Sequence, residues 1–129
     1  MRKIKFRGKT DKGEWIYGDL LQIAKEVYIA PTDGDWFDFL PWTENNIFHL
    51  PASKYIVDPE TLGQFTGVLD KNGREIYEGD IVKTQYSNRA PVKYKEVNFH
   101  VEFGGYRALL TGEYEVVGNI YDKKQPQRK

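Results

Sequence analysis

The 129-residue sequence contains no cysteine, only one methionine and no net charge. Without cysteine the chain can form no disulfide, no thiolate zinc site and no cysteine nucleophile. Its 19 basic residues balance 19 acidic ones, so no global field draws the chain towards nucleic acid or anionic lipid. Any function that depends on charge must therefore come from local clusters.

Long hydrophobic runs are also absent. No stretch has enough consecutive apolar residues to span a bilayer, and the first nine residues, MRKIKFRGK, contain no apolar core of a signal peptide. We therefore expect a soluble, cytoplasmic protein that does not enter a membrane.

Residues suited to catalysis or metal binding are few. The serines lie outside the motifs of serine hydrolases, and the two histidines are isolated from each other and from other candidate ligands. Asp19 and Asp80 each follow a glycine, where capping of the backbone explains them better than acid–base catalysis. His100 falls on the polar face of a predicted strand and is expected to face solvent. We predict that the protein is not an enzyme and uses no cofactor or metal ion.

Aromatic residues, in contrast, make up 15% of the chain, which also has 12 glycines and 6 prolines. This composition favours β-structure with many turns, and no stretch of helical periodicity opposes it. A chain of this length fits one compact domain or two very small ones. The predicted fold class is mainly all-β.

One segment of the sequence occurs twice. Residues 6–21 read FRGKTDKGEWIYGDLL and residues 65–82 read FTGVLDKNGREIYEGDIV, with nine identities if Asn72 and Glu78 are insertions. Each copy has an apolar strand, an Asp-Lys-Gly turn and a second strand. We predict two related antiparallel hairpins with turns at 11–13 and 70–73. The alternative is that unrelated hairpins converged on the same turn residues.

Alternating residues and turn signals extend the prediction along the chain. They predict a short strand at 27–29, one helical turn at 58–62 ending at Gly63, a strand at 81–86 and a long strand at 92–103. The side chains of the long strand that should face the core are Val97, Phe99, Val101 and Phe103.

These elements predict two subdomains and a tail. The first is an N-terminal β subdomain over residues 1–62, and the second, over 63–122, has the short meandering strands of an SH3-like barrel. Residues 123–129 are expected to be disordered.

The segment 32–50 interrupts the strand pattern with aromatic residues among acidic ones. Aromatic side chains dominate binding hot spots, so this segment is a candidate for contact with a protein partner. The alternative is that it folds back over the core as a lid. The candidate interaction residues are Trp36, Phe37, Phe39 and Trp42.

The N-terminal strand is rich in basic residues on one predicted face. In a nucleic-acid-binding interpretation these residues contact phosphates while an aromatic residue of the next strand stacks on a base. In the alternative interpretation, lysines protect an exposed sheet edge against aggregation. The residues concerned are Lys3, Lys5, Arg7, Lys9, Trp15 and Tyr17.

Three short segments of the sequence together resemble the YopX family of bacteriophage and prophage proteins. They are KIKFRGK with a following W-x-Y-G, FTGVLDKNGREIYEGDIV, and VVGNIYD. The resemblance implies an SH3-like barrel in the C-terminal half, a phage or prophage source, and no catalytic residues. We predict a non-catalytic interaction module that associates with itself or with another phage or host protein. A nucleic-acid-associated accessory protein is the alternative.

Overall fold

The computed structural model describes residues 4–32, 51–95, 98–103 and 106–122. Within these ranges the chain forms eleven strands and one short 3-10 turn, Ser53–Tyr55, and no α-helix. The predicted all-β class is confirmed. The strands are β1 (Phe6–Lys9), β2 (Trp15–Ile23), β3 (Glu26–Pro31), β4 (Ile56–Leu69), β5 (Glu75–Tyr77), β6 (Asp80–Lys83), β7 (Arg89–Pro91), β8 (Lys93–Lys95), β9 (Asn98–Phe103), β10 (Tyr106–Leu109) and β11 (Glu115–Asn119).

The chain divides into two compact units, residues 1–64 and 65–129. Strand β4 belongs to both: its first part pairs with β1 and β3, and its last part pairs with β5. The SH3-like barrel stays a prediction, and the tail 123–129 lies outside the described residues.

In the first unit, β1 has a strand partner on each side. It pairs antiparallel with β2, where Phe6 is opposite Gly18, and with β4, where Phe6 is opposite Gln64. Because both sides of β1 are hydrogen-bonded, β1 is not an edge strand. The interpretation of its basic residues as protection of an exposed edge is therefore wrong for Arg7 and Lys9, and it stays a prediction for Lys5, which precedes the strand.

Apolar side chains cover both faces of this sheet. Strand β3 is buried over four consecutive residues, 27–30, because successive side chains of a strand point to opposite faces and both faces are covered here. One cluster consists of Phe6, Ile16, Val27, Ile29, Val57 and Leu62. The other consists of Leu21, Ile23, Tyr28, Ala30, Tyr55 and Ile56.

The predicted helical turn at 58–62 is wrong, because the segment is part of β4. Asp58 accepts a hydrogen bond from the Glu60 amide at 3.0 Å, which is a local turn rather than a helix cap. Thr61 donates its hydroxyl to the Asp58 carbonyl at 2.6 Å and accepts the Lys9 amide at 2.9 Å. These bonds hold an irregularity in the β1–β4 register between Arg7 and Lys9.

Both predicted hairpins, β1–β2 and β4–β5, are present. In the first turn the Thr10 amide donates to the Glu14 carbonyl at 2.8 Å, and in the second the Asp70 amide donates to the Arg74 carbonyl at 2.7 Å. Thr10 therefore corresponds to Asp70, and the turns match without an insertion. The alignment of the repeat, which matched Asp11 with Asp70, is wrong by one residue at the turn.

A third turn of the same kind joins β6 to β7. The Thr84 amide donates to the Asn88 carbonyl at 2.9 Å, and the Ser87 amide donates to the Thr84 carbonyl at 3.0 Å. This turn ends β6 at Lys83, so the predicted strand 81–86 is too long. The five-residue turn thus closes three hairpins of the chain.

The second unit contains two three-stranded sheets with orders β10-β9-β8 and β11-β6-β7, and the β4–β5 hairpin. Their inward side chains form one core. Its buried members are Ile76, Val82, Ala90, Val92, Phe99, Val101 and Val116. Of the predicted core residues Phe99 and Val101 are buried, Phe103 packs half-buried against them, and Val97 lies outside the described residues.

The predicted long strand at 92–103 is wrong. Strands β8 and β9 run antiparallel, with Lys93 opposite His100 and Lys95 opposite Asn98, so the chain reverses between Lys95 and Asn98. The alternation has the same period on both arms, and no glycine or proline marks the reversal in the sequence. A pattern of this kind cannot separate one long strand from a tight hairpin.

His100 is completely buried, so the prediction that it faces solvent is also wrong. Its Nε2 atom lies 3.2 Å from Oε2 of Glu102, and Lys93 Nζ lies 3.6 Å from the other carboxylate oxygen. The hydrogen bond with His100, followed by the charge of Lys93, holds the pKa of Glu102 below its usual range. The face of β9 that carries His100 is covered at that residue, although Asn98 on the same face is exposed, so alternation alone does not mark a solvent-facing side chain here.

Candidate interaction surfaces

The aromatic residues predicted to contact a partner, Trp36, Phe37, Phe39 and Trp42, lie outside the described residues. Their role stays a prediction.

The structure brings most of the predicted nucleic-acid-binding residues to one face of the β1–β2 hairpin. Arg7 is opposite Tyr17 and Lys9 is opposite Trp15, and residues directly opposite each other in an antiparallel pair share a face. Lys5 is half-buried just before β1, and Lys3 lies outside the described residues.

On this face, Arg7 and Trp15 contact each other. The Arg7 guanidinium lies 4.6 Å from the centre of the Trp15 ring, and Lys9 Nζ lies 5.7 Å from it. Arg7 is only 5% exposed, contrary to the solvent-facing position that the alternation predicted. A guanidinium engaged with an aromatic ring and removed from solvent is poorly placed to contact a phosphate. This face therefore has fewer accessible cations than the sequence suggests.

The carboxylate of Asp80 caps the backbone as predicted. Its Oδ2 accepts the Tyr77 amide at 2.8 Å, and the residue is buried. Asp19 is exposed on β2.

Asp70 has a wider structural role than its predicted place in a turn. Its carboxylate accepts the amides of Asn72 and Arg74, each at 2.8 Å, and the Val116 amide at 3.0 Å. Burial alone would raise the pKa of this carboxyl, but the three amide hydrogen bonds and the charge of Arg74 outweigh burial and lower it. The turn signal in the sequence could not reveal the bond to Val116, 46 residues away.

An apolar face of the β11-β6-β7 sheet was missed by the sequence analysis. Val82, Ala90 and Val116 point into the core, so the alternate side chains lie on the opposite face of the sheet. This outer face lines an open concave region of about 620 Å³. The apolar residues of the outer face are Ile81, Pro91, Val117, Gly118 and Ile120.

Two opposite charges stand at diagonal corners of the outer face. Strands β7 and β11 lie on opposite sides of β6. Arg89 begins β7 opposite Lys83, whereas Asp122 follows the end of β11, beyond the pair of Asn119 with Asp80. Both charged residues are exposed, and Asp122 Oδ2 also accepts the Asn119 amide at 3.1 Å. Lys83 and Glu115 alternate with Val82 and Val116 and lie on the same face beside Arg89, with Lys83 Nζ 3.9 Å from the Glu115 carboxylate. The outer face thus has an apolar centre with an excess of positive charge at the Arg89 corner and the Asp122 carboxylate at the other.

The described ranges contain no group of three or more histidine and acidic residues arranged to hold a metal ion. In the same ranges, no helix is long and apolar enough to cross a membrane.

The family model described as YopX protein matches residues 5–126, which is nearly the whole chain. A search of curated proteins finds no match.

Proposed function

This chain belongs to the YopX family, and on that premise we propose that it is a non-catalytic interaction module whose partner is a second copy of itself. The observation that supports this proposal is the outer face, with its apolar centre and its two opposite charges. The expected setting is the cytoplasm of a bacterium that carries a phage or prophage, as the family resemblance implies.

The apolar centre supports association because it is concave and partly exposed. Ile120 is 51% exposed, and Pro91 and Val117 line the concave region beside it. Apolar surface that is removed from water on association stabilises the complex by about 25 cal/mol per Å² before the costs of association are subtracted. An apolar centre with a charged rim is the usual anatomy of an interface.

The two charges favour a second copy over an unrelated partner. Two identical faces that meet about a twofold axis in the interface plane can place Arg89 of each copy opposite Asp122 of the other. The same contact then forms twice. Since the chain has no net charge, two copies do not repel each other at long range.

The experiment is a measurement of molar mass by light scattering across a concentration series. The wild-type protein should be a dimer or a larger assembly. Ile120→Asp places an unpaired charge in the apolar part of the outer face, just after the end of β11, and should reduce the mass to that of a monomer. Ile120 is exposed, so the fold should tolerate this change.

Leu109→Asp is the matched control. Leu109 is 65% exposed, lies in the same unit and is not part of the outer face. This variant should keep the wild-type mass. A monomeric wild type, or the same loss of mass in both variants, would contradict the proposal.

Nucleic-acid association is the second candidate, supported by the shared face of Arg7, Lys9, Trp15 and Tyr17. If it is correct, changing Lys5 and Lys9 to Gln should flatten a steep salt dependence of oligonucleotide affinity, because fewer counterions are released. Burial of Arg7 weakens this candidate relative to self-association.

A further inference from the structure

Asn72 and Gly73 lie at the tip of the turn between β4 and β5. Asn72 is the only asparagine of the sequence that is followed by glycine. Both residues are exposed, and a Cβ atom placed on Gly73 would meet no atom within 4 Å. The Asn72 side chain can therefore approach the Gly73 backbone nitrogen without hindrance from a neighbouring side chain.

An asparagine in this position is chemically suited to deamidation without an enzyme. The Gly73 backbone nitrogen attacks Cγ of Asn72, so that an N–C bond forms and the Cγ–Nδ2 bond breaks. The side-chain nitrogen leaves as ammonia and takes the former amide proton of Gly73. The resulting succinimide ring then consumes one water. Opening at Cγ gives aspartate, and opening at the main-chain carbonyl gives isoaspartate, whose main chain runs through Cβ and Cγ and is one atom longer.

The folded turn restrains the first step of this reaction. The Gly73 amide donates to the Asp70 carbonyl at 2.9 Å, and the Asn72 amide donates to Oδ1 of Asp70 at 2.8 Å. While both bonds are formed, the attacking nitrogen keeps its proton and the Asn72 backbone is held in place. The reaction therefore requires local opening of the turn, which is less costly than global unfolding for an exposed turn.

The isoaspartate product does not fit the hydrogen bonds of this turn. The extra main-chain atom lies between Cα of Asn72 and the Gly73 amide, so it displaces the amides of Gly73 and Arg74 from Asp70. In the unmodified turn Oδ1 of Asp70 accepts the Arg74 amide at 2.8 Å, while Oδ2 accepts the Val116 amide of β11 at 3.0 Å. A change in the turn therefore also weakens its attachment to β11.

We propose that Asn72 is a modification site, at which spontaneous deamidation proceeds through opening of the Asp70 turn and the isoaspartate product destabilises the second unit. Asn72 does not line the concave region of the outer face, so the proposal is independent of self-association.

The first test follows the reaction by mass spectrometry. Full-length protein is incubated at mildly alkaline pH, in buffer and in guanidinium chloride, and its asparagine-containing peptides are compared over time. Asn72 should react before Asn88 and Asn119, which precede larger residues. The reaction in buffer should be slower than in guanidinium chloride by about tenfold or more, because a single hydrogen bond to a charged group already shifts the opening equilibrium by about that factor.

The second test compares the stability of the products. The isoaspartate form, separated by ion exchange, should unfold at a lower denaturant concentration than the Asn72→Asp variant, which has the same charge but the normal main chain. Asn72→Gln should neither react nor lose stability during incubation, because its longer side chain would have to form a larger ring. Asn72 that stays intact in buffer while Asn88 or Asn119 reacts, equal rates in buffer and guanidinium chloride, or an isoaspartate form as stable as Asn72→Asp would overturn the proposal.

Discussion

Ser87 has a left-handed backbone conformation at a position where two equivalent turns have glycine. The side chain of a residue other than glycine makes this conformation unfavourable by roughly 1–2 kcal/mol. Glycine removes that strain. Its greater conformational freedom in the unfolded chain offsets about 0.4–1 kcal/mol of the gain in stability. We therefore expect the folded protein to be more stable with glycine than with serine at position 87.

We expect Ser87→Gly to raise the free energy of unfolding by up to about 1 kcal/mol, measured by chemical denaturation. Gly73→Ala is the reverse change in the equivalent turn and should lower it by a similar amount. The correspondence between the turns would be wrong if Ser87→Gly destabilised the protein.

Asp70 makes stability dependent on pH. Its folded-state pKa lies below the ordinary value, so its contribution is present above that ordinary value, about 3.9, and is lost as pH falls through the folded-state pKa. Asp70→Asn removes this contribution, because it replaces a carboxylate oxygen, which accepts hydrogen bonds, with a side-chain NH₂ group that faces backbone N–H donors. At pH 7 the variant should lose about 2 kcal/mol of the free energy of unfolding.

The difference in the free energy of unfolding between the wild type and Asp70→Asn should become smaller in acid. Denaturant unfolding at pH 7 and below pH 3 measures this difference. Asp19→Asn is a control, because Asp19 is exposed. A constant difference across this range would show that the ionised carboxylate of Asp70 is not what stabilises the fold.

At the scale of elements, the sequence was sufficient where turns carry their own chemical signal. Gly13 and Gly73 mark turns by their left-handed conformation, and the hairpins around them follow from local residues. The sequence was insufficient where pairing between strands decides the structure. Nothing near Asp58 shows that β1 will recruit the segment into β4, and nothing near Val92 shows that the chain will reverse before Asn98.

The candidate site was predictable to a smaller extent. The common face of Arg7, Lys9, Trp15 and Tyr17 follows from the hairpin register, which the turn determines. The burial of Arg7 depends on packing and could not be read from alternation. The outer face is formed by three short strands that are separated in sequence, so only the sheet order brings its residues together.

The β8–β9 hairpin gives a direct test of core packing. Phe99 is buried, and its ring centre lies 4.8 Å from that of Tyr94. Phe99→Ala should lower the free energy of unfolding by about 3–5 kcal/mol, because it leaves a cavity in the core of the second unit. Tyr94→Ala should cost clearly less, since Tyr94 is half exposed. A loss below about 1 kcal/mol for Phe99→Ala would show that this face of β9 is not part of the core.

At the scale of the whole molecule, we expect function to depend on local surfaces, because the chain has no net charge and no cysteine. The outer face of the second unit has an apolar centre, with Arg89, Lys83 and Glu115 at one end and Asp122 at the other.

The central claim, that two copies meet through the outer face, is tested most directly by exchanging its charges. Sedimentation equilibrium at low salt would compare the wild type with Arg89→Glu, Asp122→Arg and the double variant. We predict that each single change weakens association about tenfold or more, because like charges then face each other at both contacts, and that the double variant recovers association to within about threefold of the wild type. A monomeric wild type, or a double variant as weak as the two single changes combined, would contradict the account.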